Sequence, residues 1–177
     1  DGFKLINGYH SEKGGAIACL SASPVLRNLD IRANQASYGG GIYIEGSSSV
    51  LDSVSISGNY TNFSIGSGGG IYSKESSPTL NYVTISGNHA TTTAEGGVSG
   101  GGAIYLSGGN NNLVINNSII WNNAHDQIVF KQLNGEEWNS YSISYSLIED
   151  GNLGIETHGS VLTSLYNDNL TANSGDD

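Results

Sequence analysis

Apolar residues in this chain come in short alternating pairs: Ile42 and Ile44, Val54 and Ile56, Val83 and Ile85, Ile104 and Leu106. Period two over short runs bounded by Gly, Ser, Pro and Asn predicts strands with one face turned inward. No 3.6-residue spacing persists long enough to predict a helix. Leu51 and Leu80 precede Val54 and Val83 by three residues, which breaks the alternation and predicts a bend between them. The pattern also repeats. Gly68 to Asn88 is a unit that the rest of the chain copies with variation, so that Ile17, Ile42, Ile71 and Ile104 follow paired or tripled glycines and Asn34, Asn59, Asn88 and Asn122 close the units. The Ile-to-Asn separations are 17, 17, 17 and 18 residues, whereas the Asn-to-next-Ile separations are 8, 12 and 16. One part of the repeat is fixed in length and one corner is free.

Units of this size predict a solenoid, because a single coil cannot bury its inner face and stacking supplies the core. The expected fold is all-β: one domain over 1–177, a parallel β-helix of five to six coils with three short strands each. Coils are expected at about 14–38, 39–67, 68–100, 101–126 and 127–150, with 151–177 as a terminal coil or cap. Residues 1–13 read as the end of an earlier coil, with Asn7-Gly8 standing in transposed order for Gly87-Asn88. Equivalent residues should then form columns. One inner column is Ile17, Ile42, Ile71, Ile104 and Ile128, and another is Ile31, Ile56, Ile85, Ile119 and Leu147. Asn34, Asn59, Asn88 and Asn122 are expected to form a structural ladder, since Asn tolerates left-handed backbone and its amide both donates and accepts between coils. The glycines at 14–15, 39–41, 68–70 and 100–102 serve the next corner, where positive φ or close backbone approach is required.

Composition supports many tight corners: 26 Gly, two Pro, no Met and 12% charged residues, where roughly 25% is usual. A formal charge of −10 with six Lys plus Arg argues against nucleic acid and acidic polymers as partners. A lone Cys19 excludes an intrachain disulfide and leaves the compartment undecided. No apolar run approaches membrane-spanning length, so no transmembrane segment is expected. The chain opens in mid-pattern at Asp1, which predicts a mature form or an excised piece.

Gly-Gly-Gly-Ile-Tyr (68–72), Ser-Ser-Pro-Thr-Leu (76–80), Val-Thr-Ile-Ser-Gly-Asn (83–88), Asn-Asn-Ser-Ile-Ile-Trp-Asn-Asn (116–123) and Ile-Ser-Tyr-Ser-Leu-Ile-Glu (143–149) resemble the right-handed parallel β-helix repeats of secreted and cell-surface bacterial proteins. The resemblance covers nearly the whole chain and weakens after Gly151. It implies an exported module of the adhesin or autotransporter-passenger kind, with neighbouring domains and glycans as partners. The fold is shared with pectate lyases, so the resemblance also admits a polysaccharide lyase or glycoside hydrolase with active residues partly outside this segment. Fold alone does not choose between them.

The candidate chemistry favours a non-catalytic module. Asp30, Asp52, Asp126, Glu136, Glu137, Glu149, Asp150 and Asp168 are scattered, and no catalytic residue is assigned. The motifs Asn-Thr-Asp, Gly-His-Gly, Arg-Ile-Lys and Asp-Pro-His-Asp, associated with the enzymes of that fold, are absent. Tyr43, Tyr72 and Tyr105 share one outward position on successive coils, which is a strip on which sugars stack or a set of mutually stabilising cross-strand rings. The inserts at 35–38, 60–67 and 89–99 fall at one corner and add Phe63 and His89 to the candidate binding residues. No metal is assigned; His89, His125 and Asp126 are the residues that would supply ligands. No cofactor is expected beyond surface calcium attracted by net acidity. Arg27 with Asp52 and Glu45 with Lys74 read as cross-coil ion pairs.

Overall fold

The computed structural model describes residues 2–61, 66–91, 100–131, 139–158, 161–167 and 170–172. Strand β1 (Lys4–Ile6) ends a first turn of chain. The next coil holds β2 (Ile17–Leu20), β3 (Val25–Arg27) and β4 (Asp30–Arg32), and the third holds β5 (Ile42–Glu45), β6 (Val50–Asp52) and β7 (Ser55–Ser57). They are followed by β8 (Ile71–Lys74), β9 (Thr79–Asn81) and β10 (Thr84–Ser86), then β11 (Ile104–Ser107), β12 (Asn112–Asn116) and β13 (Ile119–Trp121). The last two sets are β14 (Ile128–Lys131), β15 (Asn139–Ser144) and β16 (Leu147–Glu149), then β17 (Ile155–His158), β18 (Val161–Asn167) and β19 (Leu170–Ala172). A 3₁₀ turn at Gly151–Gly154 separates these sets.

Every pairing is parallel and joins a strand to its equivalent one coil away, giving three sheets: β1-β4-β7-β10-β13-β16-β19, β2-β5-β8-β11-β14-β17 and β3-β6-β9-β12-β15-β18. The expected parallel solenoid is the fold. Beyond Gly154 the solenoid continues, since β17, β18 and β19 each join one of the three sheets. Along the first strands Ile42, Ile71, Ile104 and Ile128 stack in register and are fully buried. Leu51, Leu80, Ile115 and Ile143 do the same on the second sheet.

On the third sheet the inner column is Ile31, Ile56, Ile85, Ile120 and Ile148. The sequence reading placed Ile119 and Leu147 there, one residue too early. Ile119 instead points outward and is 45% exposed. The doublets Ile119-Ile120 and Leu147-Ile148 satisfy period two in either phase, and the preceding bend sets the phase. Asn28, Ser53, Tyr82, Asn117 and Tyr145 have φ between 50° and 58°. In each of these five coils the core residue is the third after this left-handed one.

The asparagine ladder exists, with one change of membership. Asn34 donates from its backbone N–H and Nδ2 to Asn59 Oδ1 at 3.0 and 2.9 Å. Asn59 does the same to Asn88, at 2.9 Å twice, and Asn88 does so to Asn123, at 3.0 and 2.9 Å. The fourth rung is therefore Asn123, correcting Asn122. Asn122 takes the left-handed position before the rung (φ 53°) that Ala33, Gly58 and Gly87 occupy elsewhere. The miscount has a physical source: Ile71 to Leu80 spans nine residues but Ile104 to Ile115 spans eleven, so two extra residues sit between β11 and β12.

Two consecutive glycines do different work at the following corner. Gly39 and Gly68 adopt φ of 65° and 67°, a region costly for residues with a Cβ. Gly40 and Gly69 instead allow close approach: a Cβ on Gly40 would lie 2.6 Å from the carbonyl oxygens of Gly69 and Tyr60.

Candidate functional site

The outward side of β5, β8 and β11 carries the tyrosine column, because alternation turns Tyr43, Tyr72 and Tyr105 away from the flanking core isoleucines and register brings them together. The rings stack on one another, with centroids 5.3 and 5.4 Å apart and interplanar angles of 5° and 16°. Tyr38 tilts against Tyr72 at 5.1 Å, and Val129 continues the column on β14. The three tyrosines are only 3–9% exposed. Their faces are therefore turned to each other, forming a second apolar cluster outside the main core.

Two residues along β5, Glu45 closes one side of this column. Its carboxylate accepts from Lys13 Nζ (2.8 Å), Lys74 Nζ (2.9 Å) and the Tyr43 hydroxyl (3.0 Å). Lys13 also lies 4.8 Å from the centre of the Tyr43 ring, within cation–π range. The Lys13 and Lys74 ammonium groups hold the Glu45 carboxyl down to about 2, while Glu45 raises Lys74 in return. Burial, and then the bond to Glu45, pushes the Tyr43 hydroxyl up. Burial likewise raises Tyr72 and Tyr105. Glu45 thus stays ionised and the phenols stay neutral near neutral pH. The sequence reading paired Glu45 with Lys74 and missed Lys13, whose approach depends on how the corner folds back.

The corner after the asparagine rung forms a second edge. Tyr9, Gln35, Tyr60, His89 and Ala124 follow one another as single parallel bridges across the coils. Tyr60 is 40% exposed and donates its hydroxyl to Gln35 Oε1 at 2.6 Å. Behind it, Thr61 and Thr91 share hydrogen bonds through their hydroxyl groups. His89 and His125 come together, with ring centroids 5.8 Å apart and planes at 62°. Asp126 does not complete a ligand set with them: among the described residues no three His, Cys, Asp or Glu side chains gather as a metal site. Phe63 and most of the longer inserts lie outside the described residues.

Other acids are engaged by neighbours. Asp52 pairs with Arg27 on the adjacent coil and Asp30 with Arg32 on its own strand, each at 3.3 Å. Glu149 accepts from Gln127 Nε2 (2.9 Å) and the Asn122 N–H (2.7 Å). Gln127 also accepts from Asn123 Nδ2 at 2.7 Å, so it ends the ladder where the next coil offers Gly151 in place of an asparagine. Gln127 was not singled out from sequence, since a single Gln breaks no repeat.

A second ladder was also missed. Ser47 donates its N–H to Ser76 Oγ, Ser76 to Asn111 Oδ1 and Asn111 to Asn139 Oδ1, at 3.0–3.1 Å. Its members change identity from Ser to Asn along the axis, so only their place after β5, β8 and β11 could have marked them.

No curated protein and no solved structure matched this chain. A family model described as a right handed beta helix region matches residues 12–176. With three in-register parallel sheets wound about one core, the chain belongs to the right-handed β-helix family.

Proposed function

We propose that this chain is a non-catalytic structural module of a secreted or cell-surface protein, a rigid spacer that presents one edge for contact with glycans. The observation that carries the reading is how the polar side chains are used. Asn34, Asn59, Asn88 and Asn123 tie successive coils through buried hydrogen bonds, and the carboxylates of Glu45, Asp52 and Glu149 bind partners on neighbouring coils. Buried networks with their bonds satisfied rigidify a fold. A carboxylate held at about 2 by two lysines is a poor general acid or base near neutral pH.

The glycan-contacting edge would be the corner that carries Tyr60 and His89. It tolerates inserts and exposes an aromatic ring and an imidazole. Neighbouring domains of a longer chain would hold it at a surface. No helix among the described residues is long and apolar enough to cross a membrane.

A glycan-array screen run beside lyase and reducing-sugar assays tests both halves of the proposal. Binding that weakens in Tyr60→Ala and His89→Ala, with no turnover, is the expected result. Measurable cleavage of any uronate polymer would overturn the non-catalytic reading, and array binding unaffected by both substitutions would move the contact surface elsewhere.

A further inference from the structure

We propose that His89 and His125 form a binding site for one transition-metal ion, bridging two adjacent coils at the variable corner. Metal–nitrogen bonds of about 2.0–2.1 Å place each imidazole centroid about 3 Å from the ion, so two rings sharing one ion stand about 5–6 Å apart. The observed separation is 5.8 Å, and both side chains are exposed at the edge.

The backbone under them is fixed by the ladder. His89 follows rung Asn88 and donates its N–H to Asn59 O at 2.9 Å, and Ala124 follows rung Asn123 and donates to Asn88 O at 2.9 Å. The Ala124 carbonyl packs so closely on Gly102 that a Cβ there would lie 1.9 Å away. His125 then turns with φ of 68°, a left-handed conformation uncommon outside Gly and enriched in Asn, Asp and His. On the other side, Gly102 donates its N–H to Asp126 O at 2.9 Å. Both rings are thus carried by anchored backbone, which reduces the ordering cost of ligation.

Two imidazoles and no third gathered protein ligand among the described residues define the chemistry. Imidazole nitrogens select Cu²⁺, Ni²⁺ or Zn²⁺ over Mg²⁺ and Ca²⁺, which demand oxygen ligands. The remaining positions go to water, leaving the ion open to a further ligand. The net charge of −10 favours any cation.

Titration calorimetry of the untagged full chain with NiCl₂ and with ZnCl₂ tests the site. One ion per chain is expected, unaffected by excess CaCl₂. His89→Gln and His125→Gln should each weaken binding at least about tenfold, the scale seen even when outer partners of a metal site are lost. His10→Gln should leave it unchanged, because His10 accepts the Glu12 and Lys13 N–H groups at its own corner. Both variants alter exposed side chains, and circular dichroism checks that they fold. No saturable binding at millimolar metal, or binding that survives either substitution, would overturn the proposal.

Discussion

Replacing Asn59 by Ala should be among the most damaging single truncations of a polar side chain in this fold. Asn59 is fully buried. Its Oδ1 accepts from the Asn34 backbone N–H (3.0 Å) and Asn34 Nδ2 (2.9 Å), and its Nδ2 donates to Ile31 O and Asn88 Oδ1, both at 2.9 Å. Asn34 Nδ2 keeps Leu5 O and Asn88 Oδ1 keeps the Asn59 N–H, so each loses one bond but is not orphaned. The Asn34 N–H and the Ile31 carbonyl lose their side-chain partner at a fully buried position. At about 1–3 kcal/mol for each such group, the expected loss is about 2–6 kcal/mol, a large share of the ~5–15 kcal/mol that holds a typical domain. Urea unfolding followed by circular dichroism measures it. Asn123→Ala should behave similarly, since it removes the acceptor of the Asn88 N–H and Nδ2. Asn122→Gly should be neutral within about 0.5 kcal/mol, because glycine already fills that left-handed position at Gly58 and Gly87. An Asn122 variant that costs more than the Asn123 variant would refute the ladder register.

Three further outcomes follow from the packing. Gly40→Ala should cost about 2–3 kcal/mol through backbone overlap, whereas Gly58→Ala, with nothing within 4 Å of the added Cβ and Ala33 tolerated at the equivalent position, should cost about 1 kcal/mol; equal thermal shifts would contradict this. Ser73→Ala should stabilise by about 1 kcal/mol, because the Ser73 hydroxyl lies fully buried between Ile44 and Leu106 with no hydrogen-bond partner among the described residues; a lower midpoint in urea would show that the hydroxyl is satisfied. Glu45 has a folded pKa of about 2 against an ordinary 4.5, so its contribution is complete above about pH 4.5 and is lost as the pH falls towards 2. After screening around the partly exposed lysines this amounts to about 1–2 kcal/mol, and Glu45→Gln should flatten the stability profile over that window; an unchanged slope would rule it out.

Sequence alone determined the architecture, because the period-two pairs, the recurring glycines and the near-constant Ile-to-Asn separation leave little besides stacked coils of short parallel strands. It also determined which residues share the tyrosine column, since Tyr43, Tyr72 and Tyr105 directly follow the repeated isoleucines. Tertiary structure decided what one-dimensional counting could not. Ile120 over Ile119, and Asn123 over Asn122, depended on two extra residues between β11 and β12, and only the neighbouring coil's hydrogen bonds reveal where a coil absorbs extra length. The burial of the tyrosine faces and the approach of Lys13 to Glu45 were equally invisible, since each depends on contacts between coils, whereas the approach of His89 to His125 was legible from their places just past the asparagine corner on adjacent coils. Local pattern sets the phase within a coil; contacts between coils set the register, and side-chain chemistry follows the register.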